Sequence, residues 1–150
     1  VLRPTTGFEA DRVYNPAVIV VDGIFWMLYR AEAEDGCSGR IGLARSEDGI
    51  HFTRHPEPVI VPEHDYEAGG CEDPRIVRFG DMYWLTYVGG GECSGHICLA
   101  SSKGLFHWEK HGSILQAAHS WDGRQVKAGA PRLRPLCAEG RHRPAHHIQL

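Results

Sequence analysis

The chain is written twice. Set residues 15–30, NPAVIVVDGIFWMLYR, above 73–88, DPRIVRFGDMYWLTYV: Pro16 falls on Pro74, Trp26 on Trp84 and Tyr29 on Tyr87, with Gly23 one place off Gly80. Continue with 37–55, CSGRIGLARSEDGIHFTRH, above 93–111, CSGHICLASSKGLFHWEKH. Cysteine, serine, glycine, isoleucine, Leu-Ala, serine, histidine, an aromatic and a basic residue recur in order. The offset is 58 residues in the first block and 56 in the second. A fixed period of this size marks one supersecondary unit used again, and it narrows the architectures open to the chain before any other property does.

Each unit reads as short strands. In the first, the apolar run Ala17 to Val21 passes through a Val-Asp-Gly turn into the aromatic run Phe25 to Tyr29, then RIGLARS, a Glu-Asp-Gly turn and HFTRH. β-Branched and aromatic runs between glycine-bearing turns are the pattern of antiparallel hairpins. Helical periodicity is hard to find. Four strands per unit, repeated, predict an all-β chain of the β-propeller type, with units at about 15–72 and 73–130 in a region spanning 1–131. A third unit opens at Pro131, 57 residues after Pro74, with Arg132 in the place of Arg75. Where its tryptophan and tyrosine should fall stand Arg141 and Pro144, so the aromatic strand is lost. Residues 132–150 are rich in Arg, Pro and His without strand alternation, and a divergent, poorly packed tail is expected. Propellers need about four blades or more, so two blades and the start of a third imply a larger parent.

Composition removes several function classes. A net charge of −3, with no basic stripe ahead of the last twenty residues, gives no electrostatic case for nucleic acid. The longest apolar run, AVIVV at 17–21, is too short to span a bilayer, and no charged-then-apolar leader precedes it. The five cysteines, Cys37, Cys71, Cys93, Cys98 and Cys137, form no C-x-x-C pair and leave one over in any disulfide scheme. That favours reduced thiols and a cytoplasmic setting. Without paired ligand spacing, no metal site is expected.

The stretch GGCEDPRI, 69–76, sets two carboxylates side by side at the mouth of a strand. A solvated Asp-Pro turn would account for them locally. Taken with YNPAVIVVDG, LYRA, RIGLARSEDGIHF, HWEKHG and WDGRQVKAGAP, all in order from about Phe8 to about Pro131, it gives the chain a specific likeness. The chain resembles the β-mannoside phosphorylases and related enzymes of glycoside hydrolase family 130. The resemblance implies a five-bladed β-propeller with its active site in the central channel. There, inorganic phosphate attacks the anomeric carbon of a β-mannoside, inverts it and releases α-mannose 1-phosphate. The implied partners are a β-mannoside oligosaccharide and phosphate, with phosphate a co-substrate and no cofactor. The resemblance assigns the general acid to the aspartate of the E-D-P-R motif, here Asp73, whose proton passes through a sugar hydroxyl to the leaving oxygen.

On an extended backbone, neighbouring side chains point to opposite faces. Asp73 is therefore expected to face the channel, and Glu72 a neighbouring loop or a cation. Pro74 fixes the backbone and removes a donor, which suits the first residue of a strand. Asn15 holds in the first unit the place that Asp73 holds in the second, and its amide can both donate to and accept from sugar hydroxyls. Arg30 stands where the family's Y-R-A arginine contacts the site. Arg75 is a weaker substrate-binding candidate, because alternation turns it away from Asp73. Lys127, in VKAGAP, is the candidate for holding phosphate as a compact point charge. Tyr66, outside the repeated set and just ahead of GGCEDP, is the candidate sugar platform. Trp26, Trp84, Tyr29, Tyr87, Phe52 and Trp108 recur at repeat positions and are expected to pack between blades. The recurring His51, His107, His55 and His111 are expected to be structural.

Two departures from the family pattern bear on activity. Where the family carries a Tyr-His-Gly segment soon after the GAP strand, this chain reads AEGRHRPAHHIQL, and His96 stands where many relatives place arginine. Losing residues of the phosphate cradle weakens the attack that distinguishes a phosphorylase. The 150-residue chain is therefore expected to be inactive or nearly so, the activity belonging to a full-length parent. An inverting hydrolase is the alternative on the same scaffold; it needs a second carboxylate roughly 6.5–9.5 Å from the acid, and nothing before Pro131 identifies one. A non-catalytic carbohydrate-binding propeller would have no reason to keep Asp73, Asn15 and Arg30 together. Open blade faces and unpaired strand edges predict self-association, as a homo-oligomer or an aggregate.

Overall fold

A computed structural model describes residues 2–35, 39–90 and 95–116. Lys127, Cys37, Cys93, Cys137 and the expected tail at 132–150 lie outside the described residues. Eight strands follow in chain order: β1 (Arg12–Val21), β2 (Ile24–Glu32), β3 (Arg40–Ser46), β4 (Thr53–Arg54), β5 (Gly70–Phe79), β6 (Met82–Gly90), β7 (Gly95–Ser102) and β8 (Glu109–Gln116). They form two antiparallel sheets of four, β1-β2-β3-β4 and β5-β6-β7-β8, each in sequence order. Short 3-10 turns at Gly7–Glu9 and Asp65–Glu67 lead into the two sheets.

Local chemistry explains the hairpins. Val21 pairs with Ile24 across Asp22-Gly23, whose φ angles are 50° and 79°. Two successive positive φ values make the two-residue turn whose twist matches that of its strands, and Asp-Gly is its preferred sequence. The two sheets share a register. Trp26 sits between Ile19 and Arg45, and Trp84 between Val77 and Ser101, so the two tryptophans are equivalent as the repeat predicts.

The sheets pack face to face. Ile19, Val21, Trp26, Leu28 and Leu43 of the first meet Ile76, Leu85, Tyr87, Ala100 and Trp108 of the second in one apolar cluster. Phe106 adds an edge-on contact to Trp26, with ring centroids 5.5 Å apart. Leu28 is fully buried at its centre, and truncating such a residue to alanine costs about 2–5 kcal/mol. A smaller cluster of Tyr29, Ala31 and Ala44, flanked by Val13, Met27 and Phe52, lies on the other face of the first sheet. Of the recurring aromatics, Trp26, Tyr87 and Trp108 pack between the sheets as expected, whereas Tyr29 and Phe52 pack on the other face of the first sheet and Trp84 lies beside His111, outside both clusters.

Candidate active site

Two matching interruptions in the sheets build the site. In β1 the ladder runs to Tyr14 opposite Arg30 and resumes with Ala17 opposite Leu28. In β5 it runs to Glu72 opposite Val88 and resumes with Arg75 opposite Thr86. Asn15-Pro16 and Asp73-Pro74 are the bulged pairs, and Asn15 and Asp73 both adopt left-handed backbone, at φ 49° and 52°. Asn and Asp are the residues with side chains that accept this conformation most readily. The proline after each removes a donor only where the ladder is already broken.

Because β1 and β5 are neighbours, the two bulges meet. Asn15 Nδ2 donates to Asp73 Oδ1 at 2.6 Å. Arg30, on β2, lies beneath them. Its Nη2 is 2.8 Å from Glu72 Oε1 and 2.5 Å from Glu32 Oε1, and its Nη1 is 3.5 Å from Asp73 Oδ1. Tyr14 packs under the guanidinium, 4.8 Å from ring centroid to carbon, and its hydroxyl donates to Glu32. Arg12 approaches the far oxygen of Glu32 at 3.6 Å. Gly39 closes the cluster from the side: its carbonyl accepts from the Cys71 amide at 2.8 Å, and a Cβ there would lie 2.7 Å from the Cys71 carbonyl. Only glycine fits that approach.

The bulge corrects one expectation. Simple alternation sends Glu72 and Asp73 to opposite faces, yet both carboxylates reach Arg30, because the left-handed residue at 73 breaks the period of two. Glu72 does pair with a cation, and it is the same cation that Asp73 approaches. Arg30 is 1% exposed, against 5% for Glu32, 0% for Glu72 and 6% for Asp73. Two adjacent buried carboxylates are tolerable because one forked guanidinium lies between them. Asn15 is exposed, so the Asn15–Asp73 edge is the side of the cluster that a ligand can reach.

The other sequence candidates fall elsewhere. Arg75 is exposed and its guanidinium turns back to the Pro74 carbonyl at 2.7 Å, away from the cluster. Tyr66 proves to belong to the repeated set: FEA at 8–10 matches YEA at 66–68, and Phe8 and Tyr66 both pack against the apolar clusters. Its ring stacks on His64 with centroids 5.0 Å apart and leans on His96 at 5.6 Å. By recurrence it is a packing residue, like the other repeated aromatics.

That same match carries two buried carboxylates which the sequence reading passed over. Glu9 accepts from the Tyr29 hydroxyl at 2.9 Å and Thr5 Oγ1 at 2.6 Å, with Arg54 Nε 3.1 Å away. Glu67 accepts from the Tyr87 hydroxyl at 2.5 Å and Lys110 Nζ at 2.8 Å. Burial and then the neighbouring carboxylates push both tyrosine hydroxyls far above the ordinary phenol range. Burial by itself raises Glu67, but the bonds from Lys110, Tyr87 and the Glu63 amide outweigh it and hold its carboxyl below the usual value. Each triad ties a 3-10 turn to the second strand of its sheet. The Glu67 triad immediately precedes GGCEDP and so fixes where β5 and its bulge begin.

Two consecutive four-stranded sheets, stacked face to face with a buried carboxylate cluster where their first strands meet, define an all-β protein of propeller-like build. The chain belongs to glycoside hydrolase family 130, whose family model, described as beta-1,4-mannooligosaccharide phosphorylase, matches residues 5–130. It is 40% identical over 126 residues to the 1,2-beta-oligomannan phosphorylase of Thermoanaerobacter sp. strain X514, covering 77% of this chain and 43% of that protein. It is 37% identical over 123 residues to the beta-1,2-mannobiose phosphorylase of the same organism, covering 72% of this chain and 41% of that protein. The solved structure of a glycosyl hydrolase from Bacteroides ovatus superposes with a TM-score of 0.65 at 35% identity, covering 77% of this chain and 35% of that one. The chain thus spans less than half the length of the relatives it matches.

Proposed function

We propose that this chain carries the acid-bearing part of an inverting β-mannoside phosphorylase. In the full-length parent, read as a five-bladed propeller to which this chain contributes about two blades, phosphate oxygen bonds to the anomeric carbon as the bond to the leaving sugar oxygen breaks. Asp73 supplies the proton that reaches that oxygen through a sugar hydroxyl, and α-mannose 1-phosphate and a shortened acceptor leave. The observation that carries this reading is the Asn15–Asp73 pair on matching bulges, open to a ligand on one side and held by Arg30 on the other. Asn15 takes the role of binding sugar hydroxyls, Arg30 that of holding Asp73 in place, and Lys127 that of holding phosphate. A relative's share of about 43% supports the expectation that the 150-residue chain alone turns over little or nothing.

The names of both Thermoanaerobacter relatives favour a β-1,2 linkage, and the family description favours β-1,4. The buried free thiols Cys71 and Cys98 support a cytoplasmic parent. The test is to incubate a full-length parent carrying this segment with β-1,2- and β-1,4-mannobiose, with and without phosphate, and to identify the products. Mannose 1-phosphate formed only with phosphate supports the proposal. Phosphate-independent release of mannose would mean a hydrolase, and binding without cleavage a carbohydrate-binding protein.

A further inference from the structure

The two buried carboxylates ahead of the bulges belong to one device built twice. In the second unit Glu67 accepts from the Tyr87 hydroxyl and from Lys110 Nζ, and Lys110 also donates to the Val61 carbonyl at 2.6 Å. In the first, Glu9 accepts from the Tyr29 hydroxyl and pairs with Arg54, and Arg54 also donates to the Arg3 carbonyl. Every member recurs at the repeat offset. Glu9 and Glu67, Tyr29 and Tyr87, and Arg3 and Val61 each stand 58 residues apart, and Arg54 and Lys110 stand 56 apart. A carboxylate, a tyrosine of the second strand, a cation of the fourth and a main-chain carbonyl thus clamp each entry segment to its sheet. A buried ion pair adds little net stability over apolar packing. Its repetition, partner for partner, points to geometry instead.

What each clamp delivers is a bulge. Asn15 follows Glu9 by six residues, and Asp73 follows Glu67 by six. In the first unit the ladder pairs Arg12 with Glu32, Val13 with Ala31 and Tyr14 with Arg30 before it breaks. In the second it pairs Gly70 with Gly90, Cys71 with Gly89 and Glu72 with Val88. The second segment is the softer one, because glycines in two of its three pairs provide no cross-strand side-chain contact. Its upstream end therefore carries more of the placement. Gly89 lets the turn come down directly on β6: a Cβ there would lie 2.9 Å from the Tyr66 carbonyl oxygen and 3.2 Å from Glu67 Cγ. Downstream the ladder is interrupted between Glu72 and Arg75, so no ladder pair holds Asp73 itself.

We propose that the clamp of Glu67, Tyr87 and Lys110 positions the general acid Asp73, and that the clamp of Glu9, Tyr29 and Arg54 positions Asn15. The proposal rests on the reading of Asp73 as that acid. All six are positioning residues, acting through the short segments that run from each clamp to its bulge. Arg30 holds Glu72 and approaches Asp73 from one side, and the clamp fixes where the segment enters. Placement matters because a shift of about 1 Å in a reacting group costs roughly a hundredfold in rate.

The test measures kcat and KM in a full-length parent carrying this segment, on a natural β-mannoside and on one with an activated leaving group. Tyr87→Phe removes one hydroxyl and leaves Glu67 its lysine. It should lower kcat on the natural substrate by roughly tenfold to a hundredfold, with little change in KM, and recover most of that on the activated one. Tyr29→Phe should instead raise KM on both substrates, by up to about tenfold, without separating them. Lys110→Met should repeat the Tyr87→Phe pattern, and Lys110→Arg should restore most of the loss, since arginine fills that place in the first clamp. This lysine pair carries the test should Tyr87→Phe lose its β-sheet circular dichroism. Leu85→Ala, a buried change on the same strand, is the control: it should lower the melting temperature without separating the substrates. A Tyr87→Phe enzyme that loses nothing, or loses equally on both substrates, would overturn the proposal, as would Tyr29→Phe or Leu85→Ala giving the same separation. Asp73→Asn tells the two failures apart. Equal losses there remove the acid and the proposal together, whereas recovery there without recovery in Tyr87→Phe overturns the clamp alone.

Discussion

Asn15 and Asp73, 58 residues apart, share a 2.6 Å hydrogen bond because each is the left-handed residue of the same bulge in its own sheet. Duplication of one unit placed two polar bulges at one boundary, and a single difference, amide against carboxyl, gives them different chemistry. The amide can only donate and accept hydrogen bonds. The carboxyl can also transfer a proton.

In a full-length enzyme carrying this segment, Asp73→Asn should lower turnover by roughly a hundredfold to ten-thousandfold, the usual loss on removing a general acid. Asparagine accepts the φ of 52° as aspartate does, so the bulge survives and the loss is chemical. A mannoside with an activated leaving group, which needs little protonation, should recover much of the rate. Equal losses on natural and activated substrates would remove Asp73 from the acid's role.

Arg30→Met should be among the most damaging single changes in the described residues, because it strips the cation from Glu32, Glu72 and Asp73 together. Uncompensated buried charge costs about 3–5 kcal/mol. Glu72→Gln keeps the shape and a neutral acceptor for Arg30, and should cost only about 1–2 kcal/mol. Urea unfolding of dilute chains gives both values; an Arg30→Met chain as stable as the wild type would show that the cluster is not held by this residue.

The Glu67–Lys110 pair should set the pH limits of the second sheet's contribution. Glu67 lies below its ordinary value in the fold and Lys110 above its own, burial lowering the lysine but the bond to Glu67 outweighing it. The Glu67 contribution is present above the unfolded carboxyl value of about 4.3 and is lost as pH falls through the lower folded one. The Lys110 contribution is present below the unfolded value of about 10.4 and is lost as pH rises through the higher folded one. The stability difference between wild type and Glu67→Gln, from urea midpoints, should be level between these limits and shrink beyond both. A difference that grows on acidification contradicts the sign.

Gly42→Ala should destabilise the first sheet by about 1–3 kcal/mol, the typical cost of overpacking. A Cβ at 42 would lie 2.7 Å from the Tyr29 hydroxyl oxygen, and that buried ring is held by Glu9. Tyr29→Leu in the same chain should relieve the clash, so the two changes should be less than additive. Gly104→Ala, with nothing within 4 Å of its Cβ, is the control and should be nearly silent. Thermal melts of the four variants and the wild type decide it.

Strands, turns and register are encoded by near neighbours, and the sequence by itself determined them. Alternation of apolar residues and an Asp-Gly turn place Trp26 in β2, and the repeat places Trp84 in β6 at the equivalent position. The likeness between Asn15 and Asp73 was legible in the same way, from the Asx-Pro step in each unit. Their hydrogen bond was not, because it depends on which faces of the two sheets pack together. Nor was the sharing of Arg30 by Glu72 and Asp73. Alternation assumes an unbroken ladder, and a single left-handed residue reverses its answer. Glu9 and Glu67 went unread because FEA and YEA are short matches within turns, and a carboxylate's partner is not written beside it: Tyr29 and Tyr87 each lie 20 residues further along the chain. Folding brought each tyrosine to its glutamate, since a buried carboxylate must find a donor wherever the packed sheet supplies one.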